Sequence, residues 1–161
     1  MKNLFLFLPF LLFACDINQD PDTLVRSLDY PMRQANYNPV YGNVKVSELA
    51  PGKLEISIKV ENTSKNLNHP AHLHFGSISE VGELAFKLNP IEGSTGTSVT
   101  ILDQAKLSNG ELLTYDTFLN MNGSIKIHMD EVYFKNMVLS YANIGANQDY
   151  FFDGVAVCTG H

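Results

Sequence analysis

The chain reads as an all-β protein, a single antiparallel sandwich or barrel, and three observations lead there. Short segments alternate apolar with polar residues, the signature of half-buried strands. Clusters of Asn, Gly, Ser and Pro separate those segments at regular intervals. No long run with a 3.6-residue period occurs after the first 40 residues.

The elements follow in order. Lys2 and an apolar run from Leu4 to Phe13 have the form of a secretory signal. The run of about ten residues is too short to span a bilayer, which takes roughly 20. It ends in Leu12-Phe13-Ala14-Cys15, which resembles a bacterial lipobox. That resemblance implies cleavage after Ala14, acylation of Cys15, and attachment to a membrane of the cell envelope on its periplasmic or surface face. An ordinary secretory signal with a chance cysteine is the alternative. Residues 15–40 are polar and carry Pro21, Pro31 and Pro39, so they read as a tether, with a short helix near Thr23–Leu28.

The domain is expected over residues 41–161. Val44 and Val46, then Leu54, Ile56, Ile58 and Val60, alternate with polar residues around the turn Ala50-Pro51-Gly52-Lys53. Further strands are expected at His72–Phe75, Glu83–Leu88, Ser98–Leu102, Ser124–Met129, Val138–Ala142 and Gly154–Cys158. Leu112–Leu119 fits a strand or a helix.

Charge and cysteine usage exclude some functions. Without residues 1–14 the chain has 147 residues, and losing Lys2 takes Lys+Arg from 11 to 10 against 17 Asp+Glu, a formal charge of −7. That acidity argues against nucleic acid, whose binding needs clustered Lys and Arg. With Cys15 acylated, Cys158 has no intrachain partner; a buried thiol, an intermolecular bridge and a metal ligand remain open.

The chemistry is concentrated in His69-Pro70-Ala71-His72-Leu73-His74-Phe75-Gly76. In a strand, His72 and His74 share one face, and Ala71, Leu73 and Phe75 the other. Ser124-Ile125-Lys126-Ile127-His128-Met129-Asp130 repeats half of this pattern, with Lys126, His128 and Asp130 opposite Ile125 and Ile127. Three imidazoles on non-core faces suit a transition metal, and copper heads the affinity order at nitrogen donors. Zinc with three histidines and a water is the chemical alternative. His69 lies on the other parity, in an approach loop or as a fourth ligand. Asp130 either orients an imidazole or faces solvent. Lys87 and Lys126 either add charge near the site or are solvated strand lysines. His161 follows Cys158 in a Cys-x-x-His pattern at the chain's end.

Four stretches in this order resemble the copper/zinc superoxide dismutase fold and its reduced relative, the chordin-type (CHRD) domain. They are Gly42 through Val60, His69–Gly76, Ser124–Asp130, and Asn143-Ile144-Gly145-Ala146 with Gly154–Cys158. The resemblance implies a Greek-key sandwich and a copper ion held by His72, His74 and His128. The family's metal-bridging histidine is replaced by Lys87 in Lys87-Leu88-Asn89-Pro90. Residues 91–99 contain no histidine for a zinc site, and residues 147–157 contain no arginine to guide anions. The expected function is therefore binding of a single copper ion in the cell envelope, with poor superoxide turnover. The alternatives are a copper-only superoxide dismutase and a structural or interaction module without metal.

Overall fold

A computed structural model describes residues 26–152 and Gly154. The first strand, β1 (Arg26–Gln34), is followed by the long hairpin β2 (Tyr41–Ala50) and β3 (Lys53–Glu61). Short strands come next: β4 (Asn68–His69), β5 (Ala71–Phe75), β6 (Leu84–Lys87) and β7 (Ile91–Glu92). The chain continues through β8 (Thr97–Asp103), helix α1 (Tyr115–Asn120), β9 (Asn122–His128) and β10 (Val138–Gly145). All strand pairs are antiparallel. They form one sheet in the order β4-β7-β8-β3-β2-β1-β10-β9-β5-β6. The all-β architecture expected from alternation is thus present, as a sheet curled on itself around one main core.

Alternation explains which residues enter that core. Leu54, Ile56, Ile58 and Val60 of β3 are buried, with Val44 and Val46 of β2 opposite them. Ala71 and Leu73 of β5 and Ile125 and Ile127 of β9 close the other side. The ambiguous stretch before β9 resolves as helix α1. Thr114 caps it by accepting from the Thr117 amide, and the Thr117 side chain reciprocates to the Thr114 amide at 2.6 Å. The helix places Phe118, fully buried, against Tyr30.

The tether reading of residues 15–40, and the short helix near Thr23–Leu28, give way from Arg26 onward. Residues 26–32 pair with β2, and Arg33 and Gln34 pair with β10, so β1 joins the two halves of the sheet. Pro31 is accommodated within it. The segment looks polar because only Tyr30 and Met32 of β1 face the core. Arg26 is held by Glu48 at 2.6 Å and Asp116 at 2.7 Å, and stacks over Tyr115. The strand expected at Gly154–Cys158, together with Cys15, Cys158 and His161, lies outside the described residues.

Strands β9 and β10 are buried on both faces. On the side away from the main core, Ala35, Ile78, Val138 and Tyr141 form a second small cluster, with Phe152 against it. Asn143 anchors this cover: its side-chain oxygen accepts from the Ile78 amide at 2.8 Å, and its side-chain amide donates to the Tyr150 carbonyl at 2.9 Å.

Met32 distinguishes a sheet strand from a tether. Met32→Ala should lower the unfolding free energy by about 2–5 kcal/mol in urea denaturation. A change within about 0.5 kcal/mol, as for a solvated surface position, would show that the segment does not pack.

Candidate metal centre

Strand β5 carries His72 and His74, and pairs with β9 in the register His72↔Lys126 and His74↔Ser124. Residues opposite each other in an antiparallel pair share a face. His128, two residues beyond Lys126, therefore emerges on the same side as the β5 pair. One ligand atom from each of His72, His74 and His128 lies within 4.8 Å of the other two. Ring centroids are 4.9 Å apart for His72 and His128, and 5.9 Å for each pair that includes His74. A metal with bonds of about 2.0–2.1 Å needs nitrogens roughly 3–4 Å apart, so small side-chain adjustments bring the three into a shared shell.

Two loops set the tautomers. Gly76, at φ +80°, turns the chain out of β5, and Gly82 returns it so closely that a Cβ there would meet the Phe75 carbonyl at 1.5 Å. This close return places the Gly82 carbonyl 2.9 Å from His74 Nδ1. A carbonyl only accepts, so Nδ1 carries the proton and Nε2 keeps its lone pair. Residues 129–137 do the same for His128. Asp130 Oδ1 accepts from the amides of Val132, Tyr133 and Phe134 at 2.7, 2.7 and 3.0 Å, folding this loop. Its Lys135 carbonyl then takes the His128 Nδ1 proton at 2.7 Å. His128 Nε2 is buried with no hydrogen-bond partner. A buried, lone-pair-bearing nitrogen facing two further imidazoles fits a metal ligand set, since a buried acceptor without a partner is otherwise costly.

Electrostatics keep His128 neutral. Burial pushes the His128 pKa from 6.5 down to about 3, and the neighbouring His72 and His74 rings add to the effect. The Lys135 carbonyl opposes it, and the charge of Lys126 depresses it further. A metal ion would therefore meet little proton competition at His128 near neutral pH.

The remaining candidates divide. His69 is not a fourth ligand. It is fully buried in β4, its Nδ1 bonds the Met129 carbonyl at 2.9 Å, and its Nε2 accepts from the Ser64 amide at 3.3 Å. Both ring nitrogens are thus spent on holding backbone together. Asp130 does not touch an imidazole; it acts on His128 through the loop that presents Lys135. Its three amide bonds, Phe134's first, lower its pKa. Lys126 is not a solvated strand lysine. Its side chain is 0 % exposed, and Nζ donates to the Glu80 carbonyl at 3.3 Å beneath the loop after β5. Lys87 is exposed, opposite His72 on the outer strand β6. A cavity of about 120 Å³ beside the histidines is lined by Pro70, His72, Lys87, His128, Glu131 and Lys135, together with Asp130.

Gly82 and the Lys135 carbonyl escaped sequence reasoning. The only signal for Gly82 was the glycine pair at 76 and 82 flanking a polar stretch just after the His-x-His strand. A backbone carbonyl leaves no trace in the residue type that carries it. No family model, curated protein or solved structure matches the chain.

The depressed His128 pKa has a signed consequence. Between pH 6.5 and 3 the unfolded chain binds a proton at this residue that the folded chain refuses. The full contribution to stability is thus present above pH 6.5 and is lost as pH falls toward 3. Urea unfolding of the metal-free protein should show a slope from this residue of up to about 1.4 kcal/mol per pH unit across that window. His128→Gln should flatten the profile. Parallel profiles for parent and variant would rule out a buried neutral His128.

Proposed function

We propose that this chain is a lipid-anchored protein of the bacterial cell envelope that binds a single copper ion through His72, His74 and His128. One observation carries the metal reading: three imidazoles from two paired strands offer ligand atoms within 4.8 Å of one another. The Nδ1 bonds of His74 and His128 to carbonyls support it, because they present Nε2 in the form a metal takes. Copper is preferred because affinity at an all-imidazole site peaks at copper among first-row divalent ions. Zinc is the competing occupant. The order of the four stretches supports kinship with the superoxide dismutase-like and chordin-type domains. The anchor rests on Leu12-Phe13-Ala14-Cys15.

A second reading, copper-only superoxide dismutation, is favoured by Lys87 and Lys135, which line the cavity beside His72 and His128. Asp130 and Glu131 line the same cavity, so steering of an anion there would depend on the two lysines outweighing them. A dismutation assay on copper-loaded protein separates binding from turnover. A metal-free structural module is the outcome if no ion binds.

His72→Ala, His74→Ala and His128→Ala should each abolish tight copper binding in a chelator-competition titration. His69→Gln and Cys158→Ser should keep it. Retention in any of the first three variants, or loss in His69→Gln with the fold intact, would overturn the ligand assignment.

Cys15→Ser should leave the protein unprocessed or release it from the membrane fraction. Unchanged membrane attachment with unchanged processing would remove the lipid anchor.

A further inference from the structure

Large apolar side chains stand exposed together at one end of the domain. Tyr133 is 86 % exposed, Val132 69 % and Phe134 54 %, all in the loop that follows β9. Tyr37, in the turn between β1 and β2, is fully exposed, and Phe151 is 62 % exposed. Asn36 connects these segments, because it lines two depressions. Residues 132–137 line the first, and Arg33 and Phe151 help to line the second. At about 150–250 Å² for each aromatic side chain, the exposed parts reach several hundred Å². An apolar patch of that size marks an interaction surface. We propose that this face seats on a lipid bilayer. The inference rests on the anchoring reading above and names the surface that the anchored domain turns to the membrane.

Charge and reach identify the occupant. The charged side chains lining the two depressions are Lys135 and Arg33, with no carboxylate among the lining residues. That composition stands out in a chain with 17 Asp+Glu against 11 Lys+Arg. The acids nearest in sequence to the loop tip, Asp130 and Glu131, line the histidine cavity instead. Tyr and Phe favour the boundary between headgroups and acyl chains, and Lys and Arg beside them meet anionic headgroups. A second copy of this chain suits the face less well, since pairing two such faces brings like charges together. Residues 16–25 separate Cys15 from Arg26, and ten residues reach at most about 33–36 Å. Strand β1 has nine residues and runs about 26 Å, from Arg26 to the end that leads to Asn36 and Tyr37. The linking residues are thus long enough for a bilayer that holds Cys15 to meet this face. Anchoring makes the contact intramolecular, so a weak surface preference suffices. Lys135 lines both this face and the histidine cavity, so seating turns the rim of that cavity to the membrane.

The chain contains no tryptophan, so one substitution introduces a single fluorescent reporter. Tyr133→Trp and Tyr37→Trp place it on this face. Ile101→Trp places it at an exposed position of β8, level with Ser27 at the opposite end of β1. Each full chain, purified from the membrane fraction, is reconstituted in vesicles of phosphatidylcholine and phosphatidylglycerol, with and without bromine on the acyl chains. Emission from positions 133 and 37 should shift to shorter wavelength and lose intensity to the brominated lipid. Emission from position 101 should keep its aqueous spectrum. Aqueous spectra at 133 and 37 in vesicle-bound protein overturn the inference. So does a shift without quenching by bromine in a protein that sediments as a dimer, since a second copy then covers the face. Should Tyr133→Trp not fold, Tyr37→Trp decides. The intact mass reads acylation of Cys15 separately. An acyl group without quenching defeats the seating and leaves the anchor. Quenching without an acyl group defeats the anchor and leaves the seating, and the absence of both defeats both.

Discussion

The pairing of β5 with β9 in the register His72↔Lys126 is the constraint on which the site depends. Side chains alternate faces with period 2, so a slip of one residue would exchange the two faces of β5. His72 and His74 would then enter the main core, and Leu73 would leave it. Leu73, Ile125 and Ile127, each fully buried, oppose that slip. Burying such a side chain is worth about 1.5–3 kcal/mol. The same apolar residues that stabilise the sheet therefore aim the imidazoles. Core packing and site geometry are two faces of one pair of strands.

The histidine face differs from an ordinary outer face because loops cover it. Residues 76–83 and 129–137 fold back over β5 and β9 and bring carbonyls to His74 and His128. Covering the rings has an electrostatic effect. It depresses the proton affinity of His128, which favours metal over proton. A His128 that stays deprotonated would offer a metal ion its lone pair more readily than a histidine on an open strand.

Much of the sheet was legible in the chain. Alternation marked β2, β3, β5, β8 and β9, and the facing of Leu73, Ile125 and Ile127 followed from it. The three ligating candidates also followed, since each is a histidine opposite a core residue on a strand. Strand β1 was hidden by its composition. Two buried side chains, Tyr30 and Met32, are too few to set a period, and Pro31 suggests a break. Its strand conformation is secured by β2 and β10, which lie far along the chain. His69 showed the converse difficulty, because its residue type advertised a ligand. Only the positions of Met129 and Ser64 show both its nitrogens engaged.

The sequence by itself determined the strand faces, the identity of the three imidazoles and the absence of clustered positive charge, because these depend on local alternation and composition. The tertiary structure alone decided that β1 joins the halves of the sheet, that His69 is structural and that Lys126 is buried beside the histidines. The physical reason is the range of the interaction. A period of two residues is written into neighbouring positions. Whether an outward-facing lysine meets water or a folded-back loop depends on segments distant in sequence, here the one that carries Glu80.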